Sequence, residues 1–310
     1  MEIIRYSSSK KNEWNDYIAS SKNGTFLLNR NYMEYHSERF KDYSLMINDK
    51  DSLIALLPLS LHGNEVISHG GLTYGGLITA NNIGTEKNIA VFSMIVEYLR
   101  KNNICKITYK PSPHIYHEIP SEEDLYSLFR SSFRLVGRAV SSTINMRTTS
   151  IKAKKKNGYR KAKRIGMQFV ENKDSSSVLK IVNDNLQYKY GINSVHSSVE
   201  MNLLKSKFDE NILIFDLLQN DEVIGGAILY LDKNVVHAQY ITSTVEAKKK
   251  RGLDFIVVSI FEMFKGKYEW FDFGTSTEKM GTYLNTNLIK SKEEFGLTAV
   301  CYDTYELDIK

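Results

Sequence analysis

The sequence predicts an α/β (α+β) protein of two tandem domains, each a mixed, largely antiparallel sheet flanked by helices. Three observations predict it. The chain has 310 residues, long for one core and suited to two domains of roughly 150 residues each. Segments of helical and strand periodicity alternate along it. In its second half three strand-like runs are separated only by QND and DKN, tight polar connections of the hairpin kind. A hydrophobic share of 42%, an aromatic share of 11% and only 4 prolines supply packed cores and leave little for disordered linkers.

In the first half a strand is expected near residues 2–6, followed by helices near 12–20 and 31–40. Strands follow at 43–48 and 52–62, where the run LIALLPLSL predicts burial on both faces. After a polar HGNE turn, VISHGGLTYGGLI carries Gly70, Gly71, Gly75 and Gly76. Two close glycine pairs imply backbone bends or close approach of a ligand. Ile89, Phe92, Ile95, Val96 and Leu99 place a helix over 85–101, laid across a sheet and running into a strand at 104–109. Ser121 followed by Asp124 opens a short helix over 121–129.

Composition changes sharply in TTSIKAKKKNGYRKAKRIG, which sets a boundary near residue 150 and domains of 1–149 and 150–310. Beyond it, Val178, Ile181, Val182 and Leu186 share one face of a helix over 177–190, and Gly191 stops it. Strands at 211–218, 223–231 and 234–242 follow, then a basic turn, Lys248–Arg251, and an apolar helix over 252–264. A strand at 269–274, a short helical region and a last strand at 298–307 complete the chain. Low-complexity tracts and repeats are absent.

The amino terminus has no continuous apolar segment, and no later run reaches the roughly 18 apolar residues of a membrane span. No integral membrane segment and a cytoplasmic location are the expectation. Cys105 and Cys301 each stand alone in apolar strand-like runs, which predicts two buried structural thiols. The net charge of +5 is local. Lys152, Lys154, Lys155, Lys156, Arg160, Lys161, Lys163 and Arg164 are eight basic residues with no acid among them, and without them the chain carries −3. Such a patch suits an anionic ligand or a solvated helix face.

The order of three antiparallel strands, a helix and two more strands is similar to a GNAT acetyltransferase core. NGYRKAKRIGMQFV (157–170) resembles the basic segment that opens the second domain of FemABX-type proteins, and KEEFG (292–296) resembles their K-x-x-F-G signature. VHSSVEM, VVHAQYITST, WFDFGTSTEKMGTYLN, YKPSPHIYHEIPSEEDLY and ISHGGLTYGGLI resemble the FemAB-like GNAT proteins of bacterial polysaccharide gene clusters. The likeness spans nearly the whole chain. It implies a tandem pair of GNAT-like domains and transfer of an acyl or aminoacyl group to an amine, with acyl-CoA (acetyl-CoA) or aminoacyl-tRNA as donor. It also implies an amino-sugar nucleotide or glycan precursor as acceptor, and charged tRNA as a partner. The sequence departs from the GNAT pyrophosphate loop, which sets backbone N–H groups and a helix N-terminus against phosphates. Here EAKKKRGLDF has the single glycine Gly252, while Lys248, Lys249, Lys250 and Arg251 can hold phosphate by charge.

Acyl transfer to an amine requires a neutral nucleophile, stabilisation of an oxyanion and removal of a proton. No residue spacing calls for a metal or a covalent nucleophile. Strand alternation sets His237, Gln239 and Ile241 on one face and Ala238, Tyr240 and Thr242 on the other. His237 is then a base or substrate-orienting group in a cleft, or a hydrogen-bonded core histidine. In FDFGTSTE, Asp272 ends an apolar strand as a hydrogen-bond acceptor, and Ser276 and Glu278 occupy the turn beyond it. Glu278 is the preferred general base, with helix capping its competing role. Lys292 matches the lysine of the family signature, and the resemblance gives it a donor phosphate or the oxyanion to hold. His196, Lys110, His114, His117 and Tyr74 are assigned to acceptor binding, Gln239, Tyr240, Asp272 and Ser276 to substrate contact, and Arg160, Lys161 and Arg164 to donor phosphates. The rival class is a non-catalytic binder of nucleic acid or phosphorylated glycan that uses residues 152–164.

Overall fold

The computed structural model describes residues 1–309. The first part of the chain forms β1 (Glu2–Arg5), α1 (Lys11–Ser20), α2 (Arg30–Met33), β2 (Lys41–Asp42), β3 (Leu45–Asp49), β4 (Ser52–Leu57), β5 (Ser60–His62), β6 (Glu65–Ile67), β7 (Ile78–Thr79), α3 (Thr85–Lys101), β8 (Lys106–Tyr109), α4 (Glu123–Arg130) and β9 (Arg134–Asn145). Then come α5 (Ala153–Arg164), β10 (Gln168–Asn172), α6 (Ser176–Tyr190), α7 (Ser198–Lys207), β11 (Ile212–Gln219), β12 (Glu222–Asp232) and β13 (Val235–Ser243). The chain ends with α8 (Val245–Lys249), α9 (Gly252–Phe264), β14 (Trp270–Thr275), β15 (Thr277–Glu278), β16 (Tyr283–Leu284), α10 (Thr286–Glu293) and β17 (Thr298–Asp308).

Two units divide these elements. Unit 1 comprises Met1–Val140, Thr277–Leu284 and the chain from Val300 onward. Unit 2 comprises Ser141–Ser276 and Asn285–Ala299. A single division at 149/150 therefore differs from the observed one: the boundary falls inside β9, and two carboxy-terminal stretches return to unit 1.

In unit 1 an antiparallel sheet has the order β1-β3-β4-β7. Strand alternation sends Leu45, Ile47, Ala55 and Leu57 to one face, where they pack with Val91, Phe92, Ile95 and Leu99 of α3. Met46 and Leu56 point to the other face and join Trp14, Ile18 and Leu28. The expected burial of LIALLPLSL on both faces is thus observed, but as two strands. Pro58 has no N–H to give a ladder, so β4 ends at Leu57 and β5, beginning at Ser60, pairs in another sheet. There β17 pairs antiparallel with β8, β8 parallel with β6, and β6 antiparallel with β5.

In unit 2 the order is β10-β11-β12-β13-β14-β9, antiparallel except for β13 and β14. Phe215, Leu217, Ala227, Leu229, Val236 and Phe271 bury one face against α9 and Ala162 of α5. Helix α6 lies against β12 and β13 on the sheet's other side, with Val178, Leu179 and Val182 buried. Gly191, at φ 65, caps α6 in the left-handed conformation, as the sequence predicts.

Several expectations are corrected. The helix expected over 31–40 is only the four residues of α2 and a 3-10 turn over Glu34–His36. The helical region expected after residue 274 is the β15–β16 hairpin, closed by a 3-10 turn, and α10. Both cysteines are exposed, not buried. Alternation in β17 turns Val300 and Tyr302 inward and so turns Cys301 outward. Among the described residues no helix is long and apolar enough to cross a membrane.

Candidate active site

Unit 2 holds a buried polar group where two parallel strands part. Strands β13 and β14 pair only through Val235–His237 and Trp270–Asp272. Beyond that point β13 stays with β12, while β14 rejoins β9 at Thr275, opposite Ser141, after an irregularity. His237 and Asp272 are the last paired residues before the split. Their side chains meet across it, with His237 Nδ1 2.8 Å from Asp272 Oδ2.

Asp272 is fully buried, while His237 keeps 23% of its side chain exposed. Around Asp272 Oδ1, the Ser141 hydroxyl and the Gly274 N–H both donate, the latter at 3.0 Å. A carboxylate that only accepts keeps the imidazole proton on Nδ1 and makes Nε2 the basic nitrogen. Gly274 sits at φ 73, and a Cβ there would lie 3.5 Å from the His237 ring. Glycine supplies the left-handed turn, and a Cβ there would meet the ring only at ordinary contact distance.

A β-bulge corrects the facing expected for β13. Tyr230 lies opposite His237 and Leu229 opposite Ala238, but Ile228 lies opposite Tyr240, so Gln239 is the extra residue. The slip reverses alternation beyond it. His237 and Tyr240 therefore share a face, and Ala238 and Ile241 turn together into the core on the α9 side. The Tyr240 hydroxyl lies 2.9 Å from Nδ1 of His196, which is buried. Burial pushes the Tyr240 hydroxyl pKa up.

Lys292 joins this group from α10. Its Nζ donates to the carbonyls of Gly274 at 2.7 Å and Thr275 at 3.1 Å. Only 9% exposed, it has its pKa pushed down to about 8 by burial, against a pull upward from Asp272. The rest of the KEEFG motif fixes its placement. Phe295 is buried in the unit 2 core, and Gly296, at φ 103, takes a left-handed conformation that side chains disfavour. Ser276 is buried, and its hydroxyl has no hydrogen-bond partner.

The basic segment forms α5, which packs on α9. Gly158 makes this possible, since a Cβ there would lie 2.0 Å from Asp254 Oδ2. Lys155 is buried and bridges Asp254 at 3.3 Å and Glu294 at 2.9 Å, so it is not part of an outer patch. Lys152, Lys154, Arg160, Lys161, Lys163 and Arg164 are exposed, as are Lys248, Lys249, Lys250 and Arg251 before α9. Gly252 opens α9 with room for no side chain, since a Cβ would meet the Ala247 carbonyl at 2.9 Å. Asp254, in the first turn of α9, sets a buried carboxylate near the helix N-terminus.

The remaining expected residues belong to unit 1. Glu278 is exposed in β15 of unit 1. Lys110 is a clasp for the glycine-rich segment, donating to the carbonyls of His69 at 3.0 Å and of Leu72. Burial lowers its pKa to about 8. His117 is buried, bonds the Ser112 carbonyl at 3.0 Å and has its pKa pushed down to about 4, whereas His114 is exposed. Tyr74 is buried against Tyr116 and Tyr302. Sequence reasoning missed Ser141 and Asp254, and it counted Lys155 in the basic patch. Ser141 carries no local signal, because its role exists only through the pairing of β9 with β14.

No family model and no curated protein matches the sequence. Solved structures do. The fold is similar to that of FemX over 98% of this chain and 97% of that one, with a TM-score of 0.67 at 11% identity. The chain has the FemABX-like, GNAT-type acyltransferase fold. The fold is also similar to that of L-PGS from Bacillus licheniformis, at a TM-score of 0.61 and 11% identity, covering 88% of this chain and 90% of that one. A further match is the C-terminal domain (DUF2156) of a protein from Agrobacterium fabrum described as a lysylphosphatidylglycerol synthetase. Its TM-score is 0.64 at 13% identity, with 97% and 92% of the two chains covered. The FemABX-like fold thus has its polar group at the β13–β14 split, oriented by Asp272 and flanked by Lys292.

Proposed function

We propose that the chain is an aminoacyltransferase that moves an aminoacyl group from aminoacyl-tRNA to an amino group on a sugar nucleotide or glycan precursor. The observation that carries the reading is the His237–Asp272 pair at the strand split beside the buried Lys292 ammonium. The acceptor nitrogen attacks the ester carbonyl, and the tetrahedral oxyanion forms. Lys292 spends two N–H donors on carbonyls and has a third for that oxygen. His237 Nε2 removes the proton from the attacking amine and passes it to the departing ribose oxygen. Asp272 holds the imidazole tautomer and stabilises the imidazolium between the two transfers.

Two features support tRNA over acyl-CoA as donor. The helix that would receive a pyrophosphate has its first turn taken up by the buried Asp254–Lys155 pair, and the loop before it keeps only one glycine, Gly252. The exposed cations of α5 and of residues 248–251 form a field suited to a polyanion. The test is binding. Filter retention with charged tRNA, next to thermal unfolding with acetyl-CoA, should give salt-sensitive tRNA binding and no shift with acetyl-CoA. A ligand at 100 times its Kd adds about 2.7 kcal/mol, so a midpoint raised by acetyl-CoA reverses the donor assignment.

A further inference from the structure

Unit 2 carries an apolar surface outside the His237–Asp272–Lys292 group. It runs from the last turn of α6, through the loop after Gly191, onto the outer side of α7. Tyr188, Tyr190, Ile192, Val195, Val199 and Leu203 are all exposed, from 45% at Leu203 to 89% at Tyr188. In α7, Met201 and Leu204 are buried on the inner side, so Val199 and Leu203, four residues apart, form a stripe that faces outward. Single exposed apolar residues are ordinary, but six between residues 188 and 203 form a patch of the kind that marks a binding surface. The loop is built, with its polar groups paired among themselves. The Ser194 N–H donates to Asn183 Oδ1 at 2.7 Å, the Ser194 hydroxyl to the His196 carbonyl at 2.7 Å, and Gln187 Nε2 to Asn193 Oδ1 at 2.9 Å. His196 is buried, and its Nδ1 lies 2.9 Å from the Tyr240 hydroxyl, which pins the loop to β13 on the face of His237.

Charge decides the occupant. From Asn185 to Val199 there is no carboxylate, and Lys189, between the two tyrosines, is the one lysine or arginine. The acids that flank this stretch are Asp184, one helical turn after Lys180, and Glu200, whose carboxylate accepts from the Ser197 N–H and hydroxyl. Tyrosines with apolar rings and polar tips, aliphatic side chains beside them and a lysine that can extend past them make up a surface suited to the headgroup level of a bilayer. Protein interfaces deplete lysine from their centre, whereas anionic headgroups attract it. Because the loop's polar groups are already paired, entering that layer leaves few of them to desolvate. We infer that residues 188–203 dock unit 2 on an anionic phospholipid bilayer, seating their side chains in its interface without crossing it. Docking there holds β13, and with it His237, close to the headgroups. The inference does not rest on the donor or acceptor proposed above, since bilayer binding is measured without turnover.

Cosedimentation of the full chain with vesicles of equal parts phosphatidylglycerol and phosphatidylcholine tests it, with hydrogen exchange locating the contact. Binding is expected at about 1 mM lipid, roughly ten times what half-binds a single myristoyl anchor, with slowed exchange over residues 187–199. It should persist at about 0.5 M salt, which screens the exposed cations of α5 and of residues 248–251. Tyr188→Ser, Val195→Ser and Val199→Ser together change the three most exposed of the six side chains and should leave the thermal midpoint where it is. Each apolar side chain withdrawn from water is worth about tenfold, so the triple variant should bind at least about 100-fold more weakly. No binding at about 1 mM lipid overturns the inference. So does binding that salt abolishes or that the variant retains, since the basic residues would then carry it. A concentration-dependent dimer that the variant loses, without vesicle binding, assigns the surface to a second copy of the chain and overturns it equally.

Discussion

Replacing Lys292 by methionine should remove a defined part of the pH dependence of stability. The ammonium has its pKa lowered from 10.5 to about 8 because it is buried, so the folded state binds the proton more weakly than the unfolded chain does. Below pH 8 the group is charged in both states, and the folded state bears the full desolvation penalty. Between pH 8 and 10.5 the folded state has released the proton while the unfolded chain retains it, so stability rises through that window. At 1.36 kcal/mol per pH unit the rise amounts to roughly 3 kcal/mol. Lys110 has the same lowered value and the same sign, and its part persists in the variant. Urea denaturation of wild type and Lys292→Met at pH 7, 8, 9 and 10 measures the difference, in which the other titrating groups cancel. Methionine should be relatively best at pH 7 and lose that advantage by up to about 3 kcal/mol towards pH 10. A wild-type-minus-variant difference that stays flat from pH 7 to 10 refutes the buried ammonium.

His237→Gln should lower kcat for aminoacyl transfer by about 10²–10⁴ with tRNA binding unchanged, as single-turnover kinetics and filter binding would show. Gly158→Ala should destabilise unit 2 by about 1–3 kcal/mol, seen as a lower thermal midpoint, because its methyl overlaps the Asp254 carboxylate across the α5–α9 contact. Reversing Arg160, Lys161 and Arg164 to Glu should weaken tRNA binding and flatten the slope of log K against log salt by about 2–3. An unchanged slope would show that the outer face of α5 touches no phosphate.

The periodic elements were legible in the sequence. Helix α3, α6 with its Gly191 stop, the β11–β12–β13 hairpins and α9 all carry an apolar face or a turn signal that no distant contact overrides. What escaped was set by tertiary pairing. β9 has no strong pattern of its own because it serves both units. The bulge at Gln239 cannot be seen without β12, and it moves Tyr240 to the face of His237. Helix α7 is a different case. Ser197 and Glu200 form a reciprocal capping box, a signal present in HSSVEM. In the candidate site, His237, Asp272 and Lys292 could be named from their residue types and their setting at strand ends or in a motif. The orientation of His237 by Asp272, and the role of Ser141 behind it, depend on the register of three strands distant in sequence. Glu278 follows Asp272 closely in sequence, and between them, after Ser276, the chain passes from unit 2 into unit 1.

The central claim is that unit 2 transfers an aminoacyl group from tRNA at the His237–Asp272–Lys292 group. The most direct measurement is single-turnover loss of a radiolabelled amino acid from aminoacyl-tRNA, with an amino-sugar nucleotide as acceptor. Wild type, His237→Gln and Lys292→Met would be compared at equal tRNA occupancy. The account predicts label moving to the acceptor with wild type and a loss of at least about 100-fold in each variant. Label transferred at wild-type rates by both variants, or transferred only from acetyl-CoA and never from tRNA, would contradict it.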